Sequence, residues 1–256
     1  MPPVEPPPQL ELSAQTVDFV SDLHLCPELP RTVVKFEHYL QHTRADALVL
    51  LGDVFEAWVG DDVLAQDFEA RLTRALHQFS RGRPLLLMRG NRDFLLGSRF
   101  FDATGAVELP DPCLLSSPHG RALLTHGDAW CVADHAYQQF RAQVRSPAWQ
   151  AAFLAKPLAE RLAVAQALRS ASQAHQQDPN HSHADVDLSL AAAWLQVSPS
   201  AVMVHGHTHR PGTEVFGQGS CRHVLSDWDL DHASTPRAQV LRWVAEGWLR
   251  LSPDDC

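Results

Sequence analysis

Lysine is almost missing from this sequence of 256 residues, in which only Lys35 and Lys156 occur. The formal net charge is −9 at pH 7, whereas a protein that neutralises a nucleic-acid backbone needs clustered Lys and Arg. We therefore exclude a general nucleic-acid-binding function and expect no nucleic acid among the partners.

Long apolar runs are missing as well. No stretch of about 18 apolar residues occurs, so we expect no membrane span, and any contact with a membrane would be peripheral. Residues 1–15 are proline-rich and acidic, and they lack the basic start and the apolar stretch of a secretory signal. We expect this leader to be disordered.

Cysteine pairs are the third absence. The five cysteines are odd in number, widely scattered and never spaced as C-x-x-C. This pattern suits neither a disulfide framework nor a zinc ribbon, and it favours a reducing cytoplasm.

What the sequence does contain is an alternation of short apolar runs with helical patterns. Five apolar runs that end abruptly in polar residues are typical of buried strands: 17–20, 47–51, 84–88, 122–125 and 201–204. Apolar residues at three-and-four spacing predict helices over 31–41 and 63–79, and short strand-like segments follow one another from 222 to 251. We expect an α/β fold with two sheets flanked by helices, built from residues 16–133 and 198–252.

The segment 134–197 has a dense helical pattern and no clear strand. It carries more apolar side chains than one stripe of a surface helix needs. Either these side chains simply pack onto the domain, or the segment is an inserted helical cap that lines an apolar pocket. The polar stretch 175–183 is interpreted as a solvated loop, although its three histidines could bind a metal.

Polar clusters follow the five apolar runs. They are Ser21-Asp22-Leu23-His24, Gly52-Asp53, Gly90-Asn91-Arg92-Asp93, His126-Gly127-Asp128 and His205-Gly206-His207-Thr208-His209. Because α/β sheets build their sites at the carboxyl ends of strands, we expect these side chains to converge on one crevice. In extended backbone, Asp22 and His24 would point the same way.

The side chains in these clusters are of the kinds that bind metal ions, and we expect them to be metal ligands. Carboxylate, amide and imidazole groups without cysteine favour manganese, iron, cobalt or zinc over an all-oxygen magnesium site. Two ions about 3.5–4 Å apart need a shared carboxylate, and Asp53 is the expected bridge. Glu56 is interpreted as a residue that orients ligands without binding metal itself.

The motifs DLH, GDVFE, GNRD, HGD and HGHTH, in this order, resemble the calcineurin-like metallophosphoesterases. The resemblance implies a four-layer α/β/β/α sandwich and two Mn²⁺ ions per chain, with other divalent transition metals as alternatives. It also implies that a hydroxide between the ions is the nucleophile. One ion would be held by Asp22, His24, Asp53 and His207, and the other by Asp53, Asn91, His126 and His205.

The flanking residues narrow the resemblance. FVSDLHL, LGDVFEAWVGDD, GNRDFLLGSRFF, LLTHGDAWCVADHAYQQFR, HGHTHRP and VLSDWD are similar to one branch of the family, which cleaves the pyrophosphate bond of a UDP-linked diacylated glucosamine lipid in lipid A biosynthesis. This implies attack on the α-phosphorus and release of UMP. It also implies a cytoplasmic protein in peripheral contact with the inner membrane.

The same resemblance implies substrate contacts. They come from Asn91, Arg92, Asp134, Ser172 and His205, with Tyr137 and Arg169 as further candidates and Asn91 and Arg92 as catalytic residues. The lysine that the branch shows just beyond Ser172 is missing here, where the chain reads QAHQQDPN.

Arg92 gives an independent argument for a pyrophosphate substrate. Many relatives have a histidine at this position, which can protonate an alkoxide leaving group. An arginine instead grips phosphate oxygens. A phosphate leaving group has a second pKa of about 6, so it can leave without being protonated.

Two other classes of function stay open at this point. One is a phosphodiesterase or pyrophosphatase of a soluble nucleotide, and the other is a non-catalytic scaffold. A scaffold would be expected to have lost metal ligands, and all of the implied ligand positions are filled. We infer no obligate protein partner.

Overall fold

The computed structural model describes residues 5–176, 184–217, 219–232 and 234–256, with only the backbone for 171–176. Within these residues the strands are β1 (Gln9–Glu11), β2 (Val17–Val20), β3 (Ala47–Leu51), β4 (Leu85–Met88), β5 (Val107–Leu109), β6 (Cys113–Ser117), β7 (Gly120–Thr125), β8 (Val202–His205), β9 (Gly212–Phe216), β10 (Ser220–Val224), β11 (Val240–Val244) and β12 (Gly247–Leu251). The α-helices are α1 (Pro30–His42), α2 (Asp67–Ser80), α3 (Ser98–Thr104), α4 (His135–Val144), α5 (Pro147–Leu154), α6 (Leu158–Gln176) and α7 (Leu188–Val197).

The strands form two six-stranded sheets. The first has the order β12-β11-β2-β3-β4-β5, and the second has the order β1-β6-β7-β8-β10-β9. Strands β2 to β5 pair in parallel, so their carboxyl ends lie at one edge of the first sheet. Strands β7 and β8 also pair in parallel in the second sheet.

The apolar runs form strands because both of their faces are buried. Along β3, Val49 and Leu51 pack between the two sheets, while Leu48 and Leu50 pack under the outer helices. This alternation has the period of two that a strand imposes. It explains why the run carries no polar residue.

Three hydrophobic clusters separate four layers. The first lies between the first sheet and the helices α1, α2 and α3, and the second lies between the sheets. The third joins Leu123 and Met203 of the second sheet to Ala191 and Leu195 of α7. The predicted α/β/β/α sandwich is therefore confirmed.

The prediction of a disordered leader over residues 1–15 is wrong for its second half. Gln9–Glu11 form β1, which pairs in parallel with β6, and Leu12 and Ala14 are buried between the sheets. Residues 1–4 lie outside the described part of the chain.

The predicted cap, 134–197, contains two kinds of helix. Helix α7 packs on the outer face of the second sheet and belongs to the sandwich. Helix α6 lies on the other side of the molecule, where the buried guanidinium of Arg161 bonds to the carbonyl of Val59 and to Asp62.

The predicted loop 175–183 lies outside the described residues beyond Gln176. Among the described helices, none combines the length and apolar character that a membrane span requires.

Candidate active site

The polar clusters lie where the chain turns sharply out of the strands. Among the described residues, those other than glycine with positive φ all lie in these clusters: Asp22, His24, Asp53, His207 and His209. Such backbone is sparsely populated by L-residues and costs about 1–3 kcal/mol at each position. The expectation of an extended backbone for Asp22 and His24 is wrong, since φ is 54° and 48° there.

The first half of the site is formed by Asp22, His24 and His209. One ligand atom of each lies within 4.8 Å of the others. The Nε2 atoms of His24 and His209 are 3.3 Å apart, and the buried carboxylate of Asp22 accepts a hydrogen bond from the backbone N–H of His207. Two imidazole nitrogens and a carboxylate therefore face one point.

The second half is formed by Asp53, Asn91, His126 and His207. Oδ1 of Asn91 lies 3.0 Å from Nε2 of His126 and 2.8 Å from Nδ1 of His207. Nδ1 of His126 lies 2.8 Å from the carbonyl oxygen of Leu51, which leaves Nε2 as the nitrogen that faces the site. Asp22, Asp53 and His126 form a second group of ligand atoms within 4.8 Å, so Asp22 is common to both groups.

The structure differs from the prediction at His205, and His209 takes part in the site instead. Met203 and His205 share one face of β8, and Met203 packs under α7, away from the space between the sheets. His205 is fully buried, its Nδ1 atom lies 2.9 Å from the carbonyl oxygen of Gly206, and it belongs to neither group of ligand atoms among the described residues. The two histidines of HGHTH that contact other candidate ligands are thus His207 and His209, where the sequence analysis expected His205 and His207.

The backbone approaches the two site aspartates closely at Gly90 and Gly206. A Cβ atom on Gly90 would collide with Oδ1 of Asp53, and one on Gly206 would collide with the carboxylate of Asp22. The buried carboxylate of Asp93 ties the turn at Gly90 to the turn after β3, because it accepts hydrogen bonds from the N–H groups of Gly90 (2.7 Å) and Val54 (2.8 Å).

Two histidines of the site, His126 and His207, have pKa values shifted in opposite directions. Burial lowers the pKa of His126, but nearby carboxylates outweigh it and raise this pKa to about 9. Burial, aided by the charge of His126, lowers the pKa of His207 to about 4. His207 therefore presents a neutral ring, which is the form that binds a metal ion.

The donor set fits divalent transition metals. Its members are carboxylates, imidazole nitrogens and one amide oxygen, gathered in two overlapping groups on rigid strand ends. Asp22 and Asp53 supply the negative charge that two cations need. The bridging role of Asp53 stays a prediction.

Glu56 lies behind the first half of the site. Its Oε2 atom is 3.1 Å from Nδ1 of His24, and its Oε1 atom is 3.0 Å from Nε of Arg169 and 4.0 Å from Nη1 of Arg92. Burial raises the pKa of Glu56, but the hydrogen bond to His24 and the positive charges lower it overall. Glu56 is therefore an anionic link between a site histidine and helix α6.

A cavity of about 1220 Å³ opens onto the site. Residues of the site line part of it, namely Asn91, Arg92, His207 and His209. The cap helices line it with apolar side chains, among them Phe140, Val144, Trp149, Phe153 and Leu168. Tyr137 and Arg169, which sequence analysis named as weaker candidates, also line it.

Two of the predicted substrate contacts, Asp134 and Ser172, stay predictions. Asp134 lines the cavity, but its Oδ1 atom also caps α4 by accepting a hydrogen bond from the N–H of Tyr137 at 2.9 Å. Ser172 lies on α6, and its side chain is outside the described part of the structure.

The chain belongs to the calcineurin-like phosphoesterase family, whose sequence profile matches residues 15–211. It is a metal-dependent hydrolase of the phosphoesterase class.

Within this family, the chain is similar to proteins named UDP-2,3-diacylglucosamine hydrolase. The one from Bordetella pertussis is 46% identical over 241 residues, which are 91% of this chain and 90% of the relative. Those from Ralstonia nicotianae and Stenotrophomonas maltophilia are each 42% identical; the alignments cover 93% and 91% of this chain, and 92% and 96% of the relatives.

Proposed function

We propose that this protein hydrolyses the pyrophosphate bond of UDP-2,3-diacylglucosamine, as the names of its relatives suggest. Water would add to the α-phosphorus, and the bond from that phosphorus to the bridging oxygen would break. The products would be UMP and 2,3-diacylglucosamine 1-phosphate. The observation that carries the proposal is one cavity that is lined both by residues of the metal-ligand cluster and by apolar side chains of the cap.

Two divalent ions, Mn²⁺ in our proposal, would occupy the two halves of the site. Asp22, His24, Asp53 and His209 would hold one ion, and Asp53, Asn91, His126 and His207 would hold the other. Bound ions of this kind lower the pKa of water and polarise phosphoryl oxygens.

The residues of the chain would orient the pyrophosphate. Arg92 borders the cavity beside Asn91, where its guanidinium can pair with phosphate oxygens and stabilise charge on the leaving phosphate. The hydrogen bond from the backbone N–H of Arg92 to Oδ1 of Asp53, at 2.7 Å, fixes the position of Arg92 relative to the ligands.

The apolar walls of the cavity would take up the acyl chains. Each CH₂ group that leaves water there contributes about 0.8 kcal/mol. Phe153 and Trp149 stack at 4.8 Å, and Trp149 also contacts the ring of Phe94, so this wall is firmly packed. A soluble nucleotide would leave these side chains without a ligand.

Peripheral contact with the cytoplasmic face of the inner membrane completes the proposal. Leu154 and Leu162 of the cap are exposed and do not line the cavity, so they could contact lipid. The cap arginines Arg141 and Arg161 are committed to Asp128 and Asp62. The apolar side chains are therefore the stronger candidates for this contact.

UMP release from UDP-2,3-diacylglucosamine by the metal-stripped protein tests the reaction, with Mn²⁺ and then Mg²⁺ restored. We expect turnover that depends on Mn²⁺ and is lost in Asn91→Ala. No release of UMP, with hydrolysis of a generic phosphodiester retained, would reject this substrate and favour a phosphodiesterase or pyrophosphatase of a soluble nucleotide. Stoichiometric metal binding without turnover of any phosphoester would favour a scaffold.

A further inference from the structure

Helix α4 borders the site but has little apolar packing to hold it there. Of its ten residues only Val144 is buried, and most of the others are exposed. A helix whose apolar face is not buried gains little from tertiary packing. Other contacts must therefore fix the position of α4.

Those contacts converge on one carboxylate, that of Asp128. It lies in the turn after β7, two residues after His126, and its side chain is fully buried. Its Oδ2 atom accepts hydrogen bonds from the hydroxyl of Tyr137 at 2.6 Å and from Nε of Arg141 at 2.7 Å. Its backbone carbonyl accepts another from Nε2 of Gln138 at 2.8 Å.

Two side chains close to the Asp128 carboxylate, those of Tyr137 and Arg145, also contact residues of the site. The ring centroid of Tyr137 lies 5.8 Å from that of His207. Nη2 of Arg145 lies 3.7 Å from the Asp128 carboxylate and donates a hydrogen bond to the carbonyl of Gly90 at 2.9 Å, next to Asn91. One residue thus links α4 to both sides of the second half of the site.

We propose that Asp128 is a positioning residue that holds helix α4 of the cap against the metal-ligand cluster. Its Oδ2 atom is bonded to two side chains of α4, its Oδ1 atom is buried without a hydrogen-bond partner among the described residues, and it lies in neither group of ligand atoms. It fixes the cavity wall formed by Tyr137 and Arg145, and so the position of a substrate that spans the site and the cap. The kinetic part of this inference rests on the proposed function.

Asp128→Asn tests the proposal, because it keeps the shape of the side chain and removes the charge that two arginines share. The matched control is Asp187→Asn, which removes the carboxylate that caps α7 through the N–H of Leu190 at 2.8 Å, on the far face of the second sheet. Hydrogen exchange of the backbone amides is measured in both variants, and the metal content is measured by mass spectrometry.

In Asp128→Asn we expect the amides of α4 to exchange about tenfold faster or more, since bonds to a charged group are lost. The amides of α7 and the metal content should not change, and Asp187→Asn should leave exchange in both helices near the wild-type rate, because Asn caps a helix about as well as Asp. KM for the diacylated substrate should rise about tenfold. Hydrolysis of bis(p-nitrophenyl) phosphate, which lacks the acyl chains that the cap would hold, should be affected less than hydrolysis of the diacylated substrate.

A double-mutant cycle with Tyr137→Phe separates positioning from a general loss of stability. If Asp128 acts through α4, Tyr137→Phe alone speeds up exchange in α4, and its effect shrinks in the Asp128→Asn background. Unchanged exchange in α4, equal acceleration throughout the protein, or loss of metal in Asp128→Asn would overturn the proposal. If the wild-type protein releases no UMP, the proposed function fails while the exchange experiment still decides the role of Asp128.

Discussion

Oε2 of Glu56 lies 3.1 Å from Nδ1 of His24, on the side of the imidazole ring opposite to the Nε2 atom that faces His209. A carboxylate in this place fixes the tautomer and the orientation of a ligand histidine. We expect Glu56→Gln to weaken Mn²⁺ binding by about 10–100-fold, measured by calorimetric titration of the metal-stripped protein.

Glu37→Gln is the matched control for Glu56. Glu37 pairs with Arg71 on the outer surface of the helical layer, so its loss should leave Mn²⁺ affinity unchanged. Equal Mn²⁺ affinities of Glu56→Gln and the wild type would show that metal binding does not depend on the contact between Glu56 and His24.

Which histidines of the HGHTH segment hold metal can be tested by substitution. We expect His209→Asn to lower the Mn²⁺ content of the purified protein from about two ions to about one, because its ring lies beside Asp22 and His24. His205→Asn should keep the full content. Metal loss in His205→Asn with none in His209→Asn would restore the assignment made from the sequence.

Gly90→Ala should disrupt the site, because the added Cβ atom would collide with Oδ1 of Asp53. We expect a loss of about 1–3 kcal/mol in the free energy of unfolding and greatly weakened Mn²⁺ binding. Gly82→Ala serves as the control, since no atom lies within 4 Å of a Cβ placed there. Urea denaturation and metal titration measure both effects, and similar values for the two variants would contradict this account.

The stability of the metal-free protein should depend on pH through His126. Its pKa is raised from 6.5 to about 9 on folding, so its contribution is fully present below pH 6.5 and is lost as the pH rises through 9. We expect the free energy of unfolding in EDTA to fall over this interval, by at most about 1.4 kcal/mol per pH unit. His126→Gln should flatten the curve, and an equal slope in both proteins would exclude this histidine as the cause.

The central strands could be predicted from the sequence because burial on both faces leaves an unbroken apolar run, as in Ala47–Leu51. Strand β1 could not. Its residues, Gln9–Glu11, show no apolar pattern, and they form a strand because β6 offers them an edge. Similarly, composition does not separate α7 from α5 of the cap, since both are rich in apolar residues and differ only in what they cover.

The site was predicted as a set of clusters but not in its detail. Strand ends bring Asp22, Asp53, Asn91 and His126 together, and this follows from parallel pairing. The choice between His205 and His209 depends on backbone turns with positive φ after β8, which the order of residues does not reveal. The role of Asp128 was also missed, because HGD was interpreted only as a strand end that bears a histidine.

The positive φ angles at five residues of the site also lower the stability of the metal-free protein. These residues are Asp22, His24, Asp53, His207 and His209. Glycine adopts such backbone without steric penalty, so a chain with glycine at His209 should unfold less readily than the wild type when no metal is present. Thermal stability and metal binding therefore oppose each other at these positions. A variant selected for heat resistance alone would tend to lose the ligands first.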